Sequence, residues 1–421
     1  MLLGAIADDL TGATDLALVL SREGMRTIQT VGVPPAGFDP ANVDAVVVAL
    51  KSRTIPSSEA VRMSLEALAW LKAAGARQII FKYCSTFDST PKGNIGPVTD
   101  ALVKALGTDL TIVCPAFPAN RRTIYKGHLF VGEQLLSESP MRHHPLTPMT
   151  DSSLVRLMVA QSGLQVGLVS HDAVARGVDA VRDAFDAAKT RRDRVVVVDA
   201  ISDRDLRVIG EAIADFPLVT GGSGIAIGLP ENFRRAGLLA SDKTAGQFAA
   251  PAGRSAILAG SCSEATRKQI KVAIDAGLPV LKLDPIDIVE GRITVGEVLE
   301  WTLSQGDAVP LIYSSADPQD VLAAQKRLGQ ERAGEVIETF LAQTAIGLRG
   351  EGVRRLIVAG GETSGAVVGA LAPAALLIGP EIDPGVPWTL TSGDNEPMAL
   401  ALKSGNFGAA DFFLKAWKML T

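Results

Sequence analysis

Leu356-Ile357-Val358-Ala359-Gly360-Gly361-Glu362-Thr363-Ser364-Gly365-Ala366-Val367 is the stretch whose reading decides the fold. Four apolar residues give a buried strand, two glycines a turn, and the following residues open a helix. Glycine lets the backbone take positive φ and lets a ligand come close to main-chain N–H groups. Thr363 and Ser364 are candidate N-caps for the helix. A helix N-terminus carries unpaired donors and a partial positive charge, which suits a phosphate. No Gly-Lys-Ser/Thr closes the stretch, so it is not a Walker loop, and the spacing of the dinucleotide fingerprint is missing too. A bare strand-to-helix turn without a ligand fits these residues as well.

Working outward, a second turn has the same build. Ser255-Ala256-Ile257-Leu258-Ala259-Gly260-Ser261-Cys262-Ser263-Glu264-Ala265-Thr266 runs strand, Ala-Gly, hydroxyl residues, helix. Near the end, Lys403-Ser404-Gly405-Asn406 reads as a third close approach of backbone to a ligand. Strands at 280–283, 308–313 and 375–378 alternate with helices at about 264–276, 318–328 and 331–349, which implies a mainly parallel sheet. Residues 236–254, rich in Ala, Gly and small polar residues, read as a linker. They divide the chain into a first domain over 1–240 and a second over 250–421.

The first domain repeats the pattern of strand, polar turn, helix. Residues 3–7 form a strand that ends in Asp8-Asp9-Leu10-Thr11-Gly12-Ala13. Ligands in open α/β sheets sit at the carboxyl ends of strands. Two carboxylates there can bind hydroxyls, act as a base or hold magnesium, or one caps the helix while the other is solvated. A strand at 43–50 is followed by Lys51-Ser52-Arg53-Thr54, cations suited to an anionic substrate. The strand at 78–83 runs into Cys84-Ser85-Thr86-Phe87-Asp88-Ser89-Thr90-Pro91-Lys92-Gly93-Asn94-Ile95-Gly96, a loop dense in hydroxyls and charge. Such a loop needs a bound polar ligand or solvent to satisfy it. Beyond a strand at 111–115 stand Asn120 and Arg122, then a glycine-punctuated loop with Tyr125, Lys126 and a hydrogen-bonded His128. Further strands fall at 166–170, 194–200 and 218–221. The last ends in Gly221-Gly222-Ser223-Gly224, with a helix from about Ile225.

Composition narrows the function classes. The chain has 421 residues, 47% of them hydrophobic, enough for two or three domains with sizeable cores. A net charge of −5 leaves no electrostatic footprint for nucleic acid. Cys84, Cys114 and Cys262 are widely spaced and odd in number, which argues against a disulfide framework and for the reducing cytoplasm. No uncharged apolar run of about 18 residues suggests a membrane span, and the start, with two early carboxylates, reads as a strand rather than a signal peptide. No Cys/His cluster has zinc-ligand spacing, so a metal-dependent hydrolase is disfavoured and the metal ligands are unknown.

Taken together the motifs resemble the four-carbon acid sugar kinase family, most closely its 3-oxo-tetronate branch. Ile6-Ala7-Asp8-Asp9-Leu10-Thr11-Gly12-Ala13, the segments at 81–90 and 92–96, Val219-Thr220-Gly221-Gly222-Ser223-Gly224, Ala259-Gly260-Ser261-Cys262-Ser263 and the turn at 359–365 stand in the expected order over nearly the whole chain. Ser137-Glu138-Ser139-Pro140-Met141 with Thr147-Pro148-Met149 also resembles that branch. The resemblance implies an α/β fold of two domains, each with a mainly parallel β-sheet flanked by helices. A sugar-acid domain precedes a nucleotide domain, with an active-site cleft between them; closure of the domains is expected on chemical grounds, since water would otherwise take the phosphoryl group. The resemblance also implies ATP and Mg2+ as cofactors, a cytoplasmic enzyme for which a homodimer is one expected assembly, and phosphoryl transfer to the C4 hydroxyl of a 3-oxo-tetronate. ATP is then expected at Ser261, Gly360, Gly361, Glu362, Thr363, Ser364 and Gly405. Strand-end position selects Asp8 or Asp88 as the catalytic base, and Asp9, Thr11, Arg53, Lys82, Asn94 and Asn120 for the substrate. Arg53 or Lys82 would pair the substrate carboxylate. A D-threonate or D-erythronate 4-kinase and a non-catalytic sugar-acid-binding regulatory protein are the alternatives.

Overall fold

The computed structural model describes residues 1–35, 37–40, 42–144, 146–240, 248–315, 326–393 and 396–420. It divides into two compact units, Met1–Ala245 and Gly246–Thr421.

The first unit is built on eleven strands: β1 (Leu3–Ala7), β2 (Thr27–Val31), β3 (Ala45–Ala49), β4 (Gln78–Lys82), β5 (Thr111–Cys114), β6 (Arg122–Tyr125), β7 (His128–Val131), β8 (Gln134–Leu135), β9 (Val166–Val169), β10 (Val195–Val198) and β11 (Leu218–Gly221). Eight form one sheet in the order β2-β3-β1-β4-β11-β5-β10-β9, and every pairing is parallel. Runs such as Ala45-Val46-Val47-Val48-Ala49 are buried throughout, as expected where both faces of a parallel sheet are covered. Helices Leu10–Arg22, Ser57–Ala73, Ile95–Leu106, Val178–Thr190 and Asp203–Ala212 make the crossovers between strands. The segment expected as a glycine-punctuated loop folds instead as an antiparallel sheet, β6-β7-β8. Asp199, fully buried, pins its turn by accepting hydrogen bonds from the amides of Lys126, Gly127 and His171 at 2.7, 2.8 and 2.9 Å.

Two local expectations need correction here. Residues 223–228 form a 3-10 helix, and an α-helix begins only at Pro230, which suits the first turn because it lacks an N–H. β2 lies outside the strands expected from sequence, and polar Gln29 and Thr30 interrupt its apolar run. In the fold Gln29 is fully buried and accepts a hydrogen bond from Thr14 Oγ1 at 2.8 Å.

The second unit carries β12 (Arg254–Ala259), β13 (Val280–Lys282), β14 (Leu311–Tyr313), β15 (Val353–Ala359), β16 (Ala375–Asp383), β17 (Val386–Ser392) and β18 (Ala399–Lys403). Their order is β13-β14-β12-β15-β18-β17-β16. The first five are parallel, and β17 runs antiparallel to both of its neighbours. Its core gathers Ile257, Ile357, Trp388, Phe412 and Phe413. Trp388 satisfies its indole N–H on the Ala416 carbonyl at 2.9 Å, as a buried tryptophan must. The helix expected over 318–328 lies largely outside the described residues. The helix expected at 331–349 is Gln330–Gly350.

Candidate active site

In the first unit the functional candidates collect where β1, β3 and β4 end. β1 lies between β3 and β4 in register, with Ala7 opposite both Ala49 and Lys82, so the three strand ends are adjacent. Asp8 follows β1 and its amide donates to the Lys82 carbonyl at 3.0 Å. Arg53, on the segment after β3, clamps Asp8 with two parallel bonds, Nε to Oδ2 and Nη2 to Oδ1, both 2.8 Å. Nη2 also reaches Asp9 Oδ1 at 2.7 Å, and Nη1 lies 3.6 Å from Asp88 Oδ2. One guanidinium therefore organises three carboxylates.

That arrangement redistributes the roles read from sequence. Arg53, expected as an anchor for a substrate carboxylate, is engaged here by the chain's own aspartates. Lys82 is 3% exposed, and among the described residues its ammonium forms no hydrogen bond or ion pair. It sits beside Asp9 at the first turn of helix Leu10–Arg22: a Cβ on Gly12 would overlap Asp9 Oδ1 and lie 2.7 Å from Lys82 Nζ. The ammonium thus adds positive charge beside the Asp9 carboxylate at a helix N-terminus, a setting that suits an anionic ligand.

Asp9 is the N-cap of that helix, accepting from the Gly12 amide at 3.2 Å and the Thr11 hydroxyl at 3.0 Å. Thr11 thus serves Asp9. Burial works to raise the Asp9 carboxyl, but Arg53, Lys82 and these hydrogen bonds outweigh it and hold it below the ordinary range. Burial keeps Asp8 above that range, with Arg53 pulling against it. Asn94 donates to the carbonyls of Ser52, Arg53 and Ile55 at 2.9, 3.3 and 2.8 Å, so its amide group holds the segment that carries Arg53. Asn120, in the 3-10 turn Pro118–Asn120, accepts at its carbonyl from Arg122 and makes no bond to the carboxylate cluster.

Asp88 is set apart by its backbone. Phe87 and Asp88 both adopt positive φ, +66° and +44°, a region that costs a non-glycine residue energy and persists only where packing fixes it. The Phe87 ring supplies that packing: it is 1% exposed and meets Tyr83 edge to face at 5.7 Å. Burying such a ring stabilises by roughly 2 kcal/mol, which offsets part of that cost. Thr86 donates to Asp88 Oδ1 at 2.7 Å, which leaves Oδ2 turned toward Arg53. Gln161, which no local motif marks, staples the loop by donating to Ser89 Oγ at 3.0 Å and the Thr90 carbonyl at 2.6 Å while accepting from Gly96 N at 2.9 Å. Cys84 is a packed thiol, pushed up to about 12 by burial.

In the second unit the three glycine turns stand at the ends of adjacent strands, β12, β15 and β18. Gly260 and Ser261 donate their amides to the Ala359 carbonyl at 3.0 and 3.2 Å, and Gly360 donates to the Lys403 carbonyl at 2.9 Å. Their close approach requires glycine. A Cβ on Gly260 would overlap the Thr363 hydroxyl, one on Gly360 would come within 2.8 Å of it, and one on Gly405 within 2.5 Å of Ser261 Oγ. The N-cap of helix Gly361–Leu371 is Gly360, at φ +129°, and not Thr363 or Ser364: the helix starts earlier because only glycine takes that turn. Thr363 is thereby buried in the first turn. Gly361 and Glu362 are exposed at the helix start. Ser364 has both donors in use, its amide on Gly360 O at 2.8 Å and its hydroxyl on Val358 O at 3.4 Å.

Behind the turns lies a hydroxyl network centred on the Gly405 carbonyl. It accepts from Ser263 Oγ at 2.6 Å, Thr266 Oγ1 at 2.9 Å and Lys403 Nζ at 3.0 Å. Ser263 is also the N-cap of helix Glu264–Asp275. Ser315 donates to the Ser261 carbonyl. Of this group sequence selected Ser261 and Gly405; Thr266 and Ser315 are ordinary hydroxyl residues until the fold joins them. Among the described residues no group of three or more His, Cys, Asp or Glu could hold a metal ion. The described helices include none long and apolar enough to cross a membrane.

An acid-and-lysine site in one unit and glycine turns in the other suit a sugar-acid kinase of two domains, and likeness to known proteins places the chain in that class. Residues 3–229 match a sugar-binding N-terminal domain and residues 256–413 a nucleotide-binding C-terminal domain. The chain belongs to the four-carbon acid sugar kinase family. It is 56% identical over 421 residues to the 3-oxo-tetronate kinase of Cupriavidus necator, covering 100% of this chain and 97% of that one. It is 55% identical to the 3-oxo-tetronate kinase of Pseudomonas fluorescens, covering 99% and 96%. Among solved structures it is similar to a Salmonella typhimurium LT2 protein described as a candidate tRNA synthase, at TM-score 0.89 and 43% identity over 98% of each chain. A Haemophilus influenzae protein matches at TM-score 0.83 and 43% identity, over 99% of this chain and 100% of that one.

Proposed function

We propose that this chain transfers the γ-phosphoryl group of ATP to the C4 hydroxyl of a 3-oxo-tetronate, giving the 4-phosphate and ADP. The observation that carries the substrate is the full-length likeness, at 56% identity, to a relative named for that activity. The site chemistry agrees. Lys82 offers its buried ammonium to the acid's carboxylate. Asp88 Oδ2 accepts the proton of the C4 hydroxyl as its oxygen bonds to phosphorus and the bond to the ADP oxygen breaks. Asp8 is the poorer base, since both of its oxygens are held by Arg53. Arg53 keeps the carboxylates in place and Asp9 caps the helix that Lys82 underlies.

The loose transition state of phosphoryl transfer spreads charge over the equatorial oxygens, so positioning and donor groups matter most. The turns at Gly260, Gly360 and Gly405 pack closely on Thr363 and Ser261, and the helix start they frame, with the exposed Gly361 and Glu362, suits a polyphosphate. Mg2+, which usually binds through phosphate oxygens with one or two carboxylates, would neutralise the developing charge. Free cysteines at 84, 114 and 262 fit a cytoplasmic enzyme. The test is kinetic: Asp88→Asn should lower kcat by about a hundredfold or more while KM for both substrates changes little. If Asp88→Asn kept wild-type kcat and Asp8→Asn abolished it, the base would be Asp8.

A further inference from the structure

Lys403 closes β18 and is fully buried. Its ammonium has three protons and meets three acceptors: Thr266 Oγ1 at 3.0 Å, Ser404 O at 3.1 Å and Gly405 O at 3.0 Å. No described carboxylate pairs with it. Glu264, Arg267 and Lys268 lie on the helix that supplies Thr266. Asp411 and Lys415 belong to the final helical segment, where Lys415 pairs with Asp383 and Asp411. Glu362 opens the helix beyond β15, and Arg354 and Arg355 belong to β15 itself. None of these forms an ion pair with Lys403. A buried cation without a counter-charge is costly, and burial pushes this one down to about 7.

Resting on the reading of this unit as the ATP site, we infer that Lys403 is a positioning residue for the nucleotide. Its three protons fix the Gly405 turn from beneath, and its charge is completed by the polyphosphate. The geometry explains how. With the Gly405 carbonyl held inward by Lys403, Ser263 and Thr266, the trans peptide that follows turns the Asn406 N–H the other way. A neutral amine has only two protons, so losing one releases an acceptor and loosens the turn. Bringing phosphate charge close favours the ammonium, so ATP binding and protonation of Lys403 reinforce each other.

Calorimetric titration of ATP at pH 8, in buffers of low and high ionisation enthalpy, reads this coupling. The expected result is that wild type takes up more protons on binding than Lys403→Met does, the difference between the two proteins isolating the lysine. Lys403→Met should bind ATP at least tenfold more weakly, with KM for the sugar acid within twofold of wild type. Wild-type KM for ATP should rise between pH 6.5 and 8.5, and that of Lys403→Met should stay flat. Thr266→Val, which removes one acceptor, should weaken ATP binding severalfold, with Thr266→Ser restoring it. This pair carries the test should Lys403→Met fail to fold. A folded Lys403→Met with wild-type ATP affinity and equal proton uptake, or Thr266→Val indistinguishable from wild type, would overturn the inference alone. Absence of ATP binding by wild type would overturn it together with the kinase reading.

Discussion

Arg53 and Asp8 meet through two parallel hydrogen bonds of 2.8 Å, with the guanidinium bonded also to Asp9. The arginine's task follows from that geometry: it neutralises the chain's own carboxylates. Arg53→Met should therefore destabilise the fold by about 3 kcal/mol, the lower end for breaking a buried pair, because the arginine side chain keeps 22% exposure. Denaturant unfolding with wild type in parallel checks this. A loss confined to sugar-acid KM, with stability intact, would return Arg53 to the role of substrate anchor.

Lys82 is the opposite case, a buried cation that waits for an anion. Lys82→Met should raise KM for the sugar acid by about a hundredfold, as expected when a charged partner is removed from a buried pair, and leave KM for ATP unchanged. Its thermal stability should change little, since the loss of a buried charge is offset by the loss of its attraction to Asp9. Steady-state kinetics with each substrate varied in turn decides the point.

Gly405 and Gly260 are needed for their lack of a side chain. With 2.5 Å between a Cβ on Gly405 and Ser261 Oγ, Gly405→Ala should cost about 1–3 kcal/mol from overpacking and raise KM for ATP. Gly361, where a Cβ meets nothing within 4 Å, is the internal comparison: Gly361→Ala should fold with wild-type stability. Equal melting temperatures for all three proteins would contradict the close packing of the turns.

Lys403 gives the protein a pH signature. Its folded-state value, about 7, lies below the ordinary lysine value, so between these limits the unfolded chain holds more protons than the folded one. Stability from this residue accordingly rises as pH climbs from about 7 toward 10, by a few kcal/mol at most. Melting curves of wild type and Lys403→Met should show the variant ahead at pH 6 and its advantage shrinking as pH rises. An advantage constant with pH would mean that the lysine does not titrate in this window.

What could be read from sequence, and what could not, follows the physics of each element. The strands β1, β3, β10 and β15 declare themselves as short apolar runs, because a parallel sheet covered on both faces tolerates little else. β17 and β18 did not, since Trp388, Thr389 and the alternating alanines of 399–401 carry no such run. β6 and β7 were hidden by Lys126 and Gly127, whose positive φ of +50° and +72° builds the tight turn of a hairpin but reads as loop. At the candidate site, strand-end position selected Asp8, Asp9, Arg53, Lys82 and Asp88, which the fold brings together. It could not assign their roles, because whether Arg53 or Lys82 remains open to a ligand depends on which of them the aspartates reach. Asn94, selected as a ligand group, spends its amide on three carbonyls of the segment that carries Arg53. Gln161 and Thr266 are joined to the sites by contacts 72 and 139 residues apart in the chain, beyond any local pattern.

The most direct test of the account is product formation from a panel of four-carbon acids: D- and L-threonate, D- and L-erythronate and the 3-oxo acids derived from them, each with ATP. ADP release would be followed by coupled assay and the product by phosphorus NMR. The account predicts that a 3-oxo-tetronate is turned over with the highest kcat/KM, giving one phosphorus resonance coupled to the C4 protons. A higher kcat/KM for threonate or erythronate, or phosphate attached at another carbon, would contradict it.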